Sequence, residues 1–145
     1  MLDFLKKISW PLLWLFIVAL PFACDKESRH PVPVVPVDFT INVESTQHIE
    51  LNNIGGWAYF TGGYNYNGII IYRQSVDEFR AFDRTCPYHP HSECRVGVYD
   101  PPLAKDTCCG STFLLIDGSV VTGPARHPLK EYRTYYNHPY LQVTN

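Results

Sequence analysis

The residues of this chain that could carry chemistry are concentrated in two short segments of its second half. They are six thiol and imidazole side chains: Cys86, His89, His91 and Cys94 in the first segment, and Cys108 and Cys109 in the second. Thiolates and imidazoles are preferred ligands of zinc and iron, and thiols can also pair as disulfides. The two segments therefore predict either a metal centre or a pair of cross-linked loops.

The N-terminus predicts export, which favours cross-linking. Lys6 and Lys7 precede an apolar run over residues 10–23 that is too short to span a bilayer comfortably. The run ends at Cys24, and a polar string comes immediately after it, as in a bacterial lipobox. We therefore predict a signal peptide over residues 1–23 and lipidation of Cys24. An ordinary signal peptide with a chance cysteine, and a short N-terminal membrane anchor, are the alternatives.

A lipidated Cys24 implies a location in the cell envelope. The lipid would anchor the chain to a bacterial membrane, with the outer membrane favoured, and the domain would face the periplasm or the exterior. Thiols outside the cytoplasm are generally oxidised, and each disulfide stabilises a small domain by about 2 to 4 kcal/mol. Pairing the adjacent Cys108 and Cys109 would strain the ring that they close. Both bridges are therefore expected to join one segment to the other, which leaves two pairings open.

Zinc is the alternative that the same side chains allow. Cys86, His89, His91, Cys108 and Cys109 supply suitable donor atoms, and their spacing departs from that of known zinc motifs. Adjacent cysteines rarely both bind one tetrahedral ion. We therefore favour no metal, and expect the two histidines to be solvent-exposed loop residues.

The elements that must position these loops are predicted to be strands. Residues 24–37 are polar and then proline-rich, which predicts a lipid-anchored linker with polyproline geometry, or else an edge strand. Residues 38–145 then form one domain, in which short apolar or alternating segments are separated by turn formers. The candidate strands are residues 39–43, 49–51, 57–60, 68–73, 78–85, 111–117, 119–123, 131–136 and 140–145. No segment has the length and period of an amphipathic helix, so the fold class is all-β.

Charge and motif content exclude several classes of function. The formal net charge is −2 and no basic stripe is present, which argues against a nucleic-acid partner. The sequence contains no G-x-S-x-G, H-E-x-x-H or phosphate-binding G-x-x-x-x-G-K motif. We therefore expect that the protein is not an enzyme.

The cysteine segments and the residues C-terminal to them resemble a Rieske domain. The resemblance begins at AFDRTCPYHP (residues 81–90) and is most specific in GSTF, DG, GPA, PL and Tyr132, between Gly110 and that tyrosine. It covers the C-terminal two-thirds of such a domain. It implies a small fold of stacked antiparallel sheets with two cysteine-bearing loops at one tip, which in the family hold a 2Fe-2S cluster.

The ligand pattern of that family is only partly present. Rieske proteins bind the cluster through a cysteine and a histidine from each loop. Carried over to this chain, the first cysteine falls on Cys86, and its histidine position holds Tyr88, next to His89. Cys109 falls on the second histidine position and Asp106 on the second cysteine position. The resemblance therefore implies a fold whose cluster ligands have been largely replaced.

The resemblance also implies a pairing of the cysteines. Respiratory Rieske domains have a disulfide between the loops, and its partners fall near Cys94 and on Cys108. Cys86 and Cys109 then occupy two ligand positions that face each other across the cluster, where a second bridge could close. This predicts the disulfides Cys94–Cys108 and Cys86–Cys109.

The leading hypothesis is a lipid-anchored, non-enzymatic Rieske-like domain with a disulfide-closed tip. Its partners would be the membrane, through the lipid, and an unidentified protein that it binds or helps to assemble in the envelope. The first alternative is an electron-transfer component of an oxidoreductase, with a variant 2Fe-2S cluster held by Cys86, His89, Cys109 and either Cys108 or His91. A structural zinc site in the same loops is the second alternative.

Overall fold

All regular structure in residues 29–145, the part that this computed structural model describes, is strand or 3₁₀ helix. The strands are β1 (Asp38–Asn42), β2 (Trp57–Phe60), β3 (Ile69–Arg73), β4 (Phe79–Asp83), β5 (Val96–Asp100), β6 (Leu103–Asp106), β7 (Thr112–Leu114), β8 (Val120–Thr122), β9 (Glu131–Asn137) and β10 (Tyr140–Thr144). The 3₁₀ helices are Thr46–Asn52 and Tyr64–Tyr66. The predicted all-β class is confirmed. The predicted signal peptide over residues 1–23, and Cys24, lie outside the described residues.

No helix among the described residues has both the length and the apolar character that crossing a membrane requires.

The strands form two antiparallel sheets. One has six strands in the order β1-β10-β9-β4-β3-β2, and the other has four in the order β5-β6-β7-β8. Hairpins connect β3 to β4 and β9 to β10, and the second turns at His138 and Pro139 as predicted. The expected stacked antiparallel sheets are therefore present.

Strand β3 separates two hydrophobic cores. Ile69 and Ile71 face one hydrophobic core, whereas Ile70 and Tyr72 face a second core that contains Cys86. A strand buried on both faces reads as a continuous apolar run rather than an alternation. Because β4 pairs with β3 along its whole length, the loop that leaves β4 starts from the most buried part of the molecule.

The strand predicted over residues 49–51 is wrong, because the chain forms the 3₁₀ helix Thr46–Asn52 there. Ser45 caps this helix by accepting a hydrogen bond from the backbone N–H of Gln47. Leu51 is fully buried while Ile49 is 57% exposed. One of the two apolar residues thus faces the core and the other faces solvent, so their spacing does not indicate a strand.

A hairpin within the cysteine region went unpredicted. Strands β5 and β6 pair between Cys94 and Cys108, with a bulge near Asp100 and a turn at Pro101 and Pro102. Tyr59 in β2 accepts a hydrogen bond from the N–H of Val98 in β5. This contact fastens the four-stranded sheet to the edge of the six-stranded one.

The described part of the predicted linker packs against the domain. Residues 29–37 form no strand, so the edge-strand alternative does not describe them. Val32 is 1% exposed, and the His30 ring lies 3.0 Å from the carbonyl oxygen of Pro128. Asn145 accepts a hydrogen bond from the N–H of Val37. Valines in this segment therefore contribute to the core, and the packed structure begins before residue 38.

A buried carboxylate at the end of β4 connects that strand to the start of β9. The Asp83 side chain accepts hydrogen bonds from the N–H of Tyr64, the N–H of Thr85 and the hydroxyl of Tyr132, at 2.6, 2.8 and 2.6 Å. Asp83 is fully buried and Tyr132 nearly so. Burial, and then the hydrogen bond to Asp83, raise the pKa of the Tyr132 phenol.

This raised pKa predicts a loss of stability in alkali. The unfolded chain releases the phenolic proton near pH 10, whereas the folded chain retains it to higher pH, so the free energy of unfolding falls as the pH rises above about 10. Urea unfolding at about pH 8 and about pH 11 measures the fall. Tyr132→Phe has no phenol at this position and is expected to lose less over the same interval. An equal loss in both chains would contradict the prediction.

Candidate functional site at the cysteine loops

Two loops bring the cysteines together, and each is closed at its base. Loop 1, residues 84–95, leaves β4 and returns to β5, and Thr85 pairs with Arg95 across its base. Loop 2, residues 106–111, connects β6 to β7, and the N–H of Asp106 donates to the carbonyl of Ser111 at 2.9 Å. Gly110 has a φ of +77° in this turn, a conformation that favours glycine. Both loops are thereby held by backbone pairing.

Cys94 and Cys108 form a disulfide between the loops, with their Cα atoms 6.1 Å apart. Cys86 and Cys109 are free thiols, and their Sγ atoms lie 3.5 Å apart. Cys86 is fully buried in the second core, while Cys109 is partly exposed. The first of the two expected pairs is thus bonded, and the second is in contact without a bond.

Asp106 joins the two thiols in one donor group. The donor atoms of Cys86, Asp106 and Cys109 all lie within 4.8 Å of one another. Asp106 Oδ1 accepts from the N–H of Cys108 at 2.8 Å, and Oδ2 lies 3.4 Å from the Cys109 sulfur. That sulfur is also 3.1 Å from Ser111 Oγ. A carboxylate, two thiols and a hydroxyl therefore converge at the tip.

The surroundings of Cys86 disfavour a negative charge on its sulfur. Burial, and then the neighbouring Asp106 carboxyl, raise the pKa of the Cys86 thiol, and the backbone N–H of Tyr88 offsets this in part. The salt bridges within residues 29–145 are Arg80–Glu131 and His138–Glu44, so none reaches the fully buried Asp106. Cys86 is therefore favoured as a neutral thiol, in a disulfide or bound to a cation rather than as a free thiolate.

The histidines of loop 1 do not join this group. His89 and His91 are exposed, as expected for loop histidines. The His89 ring packs on Tyr88, and His91 Nδ1 lies 3.3 Å from the hydroxyl of Tyr64. The ligand set considered for zinc, which combined Cys86, Cys108 and Cys109 with these two histidines, is therefore not assembled.

The residues present do not fit a 2Fe-2S cluster. Such a cluster needs four protein ligands, two on each iron. The described donor group that contains Cys86 has three members, confined within 4.8 Å, and Cys108 is bonded in a disulfide. These donors match the coordination of one ion rather than of two irons.

Asp106 and Ser111 were not predicted from the sequence as functional residues. Asp106 was considered only as a replaced ligand, and its full burial is a property of the packed sheets. Ser111 Oγ accepts from the N–H of Ala125 at 3.1 Å, which ties loop 2 to the segment at residues 123–127. The one available signal was an acidic residue close to the cysteine pair.

Comparisons with known proteins concern the fold. No protein-family model matches the chain, and a search of curated proteins finds no match. Among solved structures, the chain is similar to the ferredoxin of carbazole 1,9a-dioxygenase from Nocardioides aromaticivorans IC177, with 16% identity and a TM-score of 0.51 over 77% of this chain and 98% of that one. A complex of reduced oxygenase and oxidized ferredoxin in carbazole 1,9a-dioxygenase gives 16% identity and a TM-score of 0.51 over 76% and 93%.

Both matches are to Rieske-type ferredoxins, and at this identity they establish architecture and not activity. The stacked antiparallel sheets and the two cysteine-bearing loops agree with them. The chain therefore has a Rieske-like fold.

Proposed function

We propose that this chain is an exported, lipid-anchored and non-enzymatic Rieske-like domain whose tip is closed by two disulfides in place of an iron-sulfur cluster. Its role is to bind or help assemble an envelope protein. The observation that carries this proposal is the 3.5 Å contact between the sulfurs of Cys86 and Cys109, in loops already joined by Cys94–Cys108. Only a small sulfur movement separates this contact from a bond.

Closure of the second bridge is a two-electron oxidation. Cys86 and Cys109 lose two protons and two electrons as their sulfurs join, and a disulfide such as oxidised glutathione accepts both electrons and becomes two thiols. The Asp106 carboxylate lies 3.4 Å from the Cys109 sulfur and is placed to accept its proton. The disulfide is neutral, so closure also removes two ionisable thiols from beside the Asp106 carboxylate.

The described start of the chain packs near loop 1. His30 contacts Pro128, and the neighbouring His127 lines an open cleft with Pro87 and Tyr88 of loop 1. Only residues 25–29 separate His30 from Cys24. A lipid on Cys24 would thus hold the domain close to the membrane. This supports a partner at the membrane surface and gives no support to a nucleic-acid partner.

Electron transfer through a variant 2Fe-2S cluster is the second candidate, and the fold similarity to ferredoxins favours it. It requires four ligands, which the donor group around Cys86 does not supply. It predicts two irons for each chain and a visible spectrum.

The test is the mass of the full chain, purified anaerobically in detergent without reductant, with iron and zinc content measured on the same sample. We expect a colourless protein that is lighter than its reduced form by two hydrogens for each of two bridges. Cys109→Ser is the matched control: it should lack one bridge and leave Cys86 open to alkylation after unfolding. Two irons, free thiols and a brown colour would instead establish electron transfer.

A further inference from the structure

The three donors of the tip are spaced like the corners of a tetrahedron around one metal ion. With Zn–S bonds of about 2.3 Å and Zn–O bonds of about 2.0 Å, tetrahedral geometry puts two sulfurs about 3.8 Å apart and a sulfur and an oxygen about 3.5 Å apart. The observed separations are 3.5 Å between Cys86 and Cys109, and 3.4 Å between Cys109 and Asp106. The third separation is within 4.8 Å. Small side-chain shifts would complete the coordination.

The charges of the tip also favour a cation. Asp106 is fully buried and has no salt-bridge partner among residues 29–145, and the two thiols beside it can add negative charge when they ionise. A buried carboxylate without a counter-ion is costly, and a bound dication would neutralise it. Both sulfurs would bind the cation as thiolates.

We infer that the reduced tip is a mononuclear site for one zinc-like divalent ion, bound by Cys86, Cys109 and Asp106. Two soft sulfurs and one carboxylate oxygen suit zinc, and His89 and His91 lie elsewhere and do not supply the fourth ligand. Asp106 replaces the histidines that a zinc site in these loops was expected to use.

The site and the second disulfide exclude each other. When Cys86 and Cys109 are bonded, neither sulfur is a thiolate and the ion loses two of its three protein ligands. When the ion is bound, both thiols are held and cannot be oxidised until it leaves. The inference concerns the reduced chain, and so does not depend on whether the bridge closes in the envelope.

Cobalt provides the test, because tetrahedral cobalt-thiolate sites absorb visible light whereas zinc sites do not. The full chain is reduced mildly in detergent, and alkylation of a portion under denaturing conditions verifies that Cys86 and Cys109 are free while Cys94–Cys108 is intact. Titration with Co²⁺ is expected to give thiolate charge-transfer bands that saturate at one ion per chain. Zn²⁺ should displace the cobalt and protect both thiols from alkylation.

Variants identify the ligands. Cys86→Ser and Cys109→Ser should each weaken the charge-transfer bands, and Asp106→Asn, which keeps the acceptor for the Cys108 N–H, should weaken affinity by about tenfold or more. The double variant His89→Ala/His91→Ala is the matched control and should bind as the parent does. Circular dichroism verifies that each variant is folded.

Absence of thiolate bands in the reduced chain would overturn the inference, and so would unchanged affinity in Asp106→Asn or a large loss in the histidine variant. Failure of the proposed function has a different signature, since the chain purified without reductant would then contain free Cys86 and Cys109 or iron.

Discussion

Asp83→Ala is expected to lower the free energy of unfolding by about 2 to 6 kcal/mol. The substitution leaves three donors without their acceptor: the buried N–H of Thr85 and hydroxyl of Tyr132, and the part-buried N–H of Tyr64. Each buried donor that loses its partner costs about 1 to 3 kcal/mol, and water has little access to this position. The summed cost of these unpaired donors makes Asp83 one of the residues on which the stability of the fold depends most.

The same substitution is expected to disturb the cysteine tip. Thr85 directly precedes Cys86. Its N–H donates to Asp83 and its hydroxyl accepts a hydrogen bond from the Asn67 side chain, so the Asp83 contacts set the start of loop 1. Urea unfolding of the reduced chain measures the stability change. Tyr132→Phe removes one of the three donors and is the graded control, with an expected loss of about 1 to 2 kcal/mol. Equal losses in the two variants would show that Asp83 acts through the phenol alone.

How far the sequence predicts this fold depends on which residues are considered. The continuous run Ile69–Arg73 predicts a strand correctly because apolar side chains are needed on both of its faces. The spacing of Ile49 and Leu51 predicts a strand wrongly, since a capped 3₁₀ helix buries one and exposes the other. The hairpin of β5 and β6 is missed because Gly97 and the Pro101-Pro102 pair look like loop. A continuous apolar run thus identified a strand that is buried on both faces. Two isolated apolar residues did not reveal a short helix that buries only one of them.

The sequence likewise predicts some residues of the candidate site and misses others. Thiols are conspicuous in a sequence, and the loops that hold them were identified from residue type and from the resemblance. Asp106 was missed because a carboxylate becomes unusual only when it is buried, and its burial follows from the packing of β6 against the rest of the second core. His89 and His91 were expected to be exposed, and they are. Their side-chain type suits a metal, but the loop directs both to solvent.

The tip combines a fixed cross-link with a variable one. Cys94–Cys108 holds loop 1 to loop 2 whatever the state of the other pair. In the two proposals made above, Cys86 and Cys109 change between a disulfide, a pair of thiols and ion ligands without separating the loops. The tip therefore need not be inert, because it gathers sulfur and oxygen donors within 4.8 Å.

Gly123→Ala is expected to lower the free energy of unfolding by about 2 to 4 kcal/mol and to slow closure of the Cys86–Cys109 bridge. A Cβ at position 123 would lie 2.5 Å from Ser111 Cα and 2.9 Å from Ser111 N, which are backbone atoms that cannot rotate away. The φ of +103° adds strain for any residue with a side chain. Ser111 must therefore move, and its hydroxyl is 3.1 Å from the Cys109 sulfur.

Gly55→Ala separates the two contributions to this effect. Gly55 has a φ of +83°, and a Cβ there would meet nothing within 4 Å, so the substitution introduces backbone strain without a clash and should cost about 1 kcal/mol. Urea unfolding gives the stability of both variants, and the rate of thiol loss in oxidised glutathione gives the closure of the bridge. Slower closure in Gly123→Ala, with a normal rate in Gly55→Ala, would place the cause at Ser111. Matching losses and matching rates would mean that the close approach of Gly123 to loop 2 has no part in positioning Cys109.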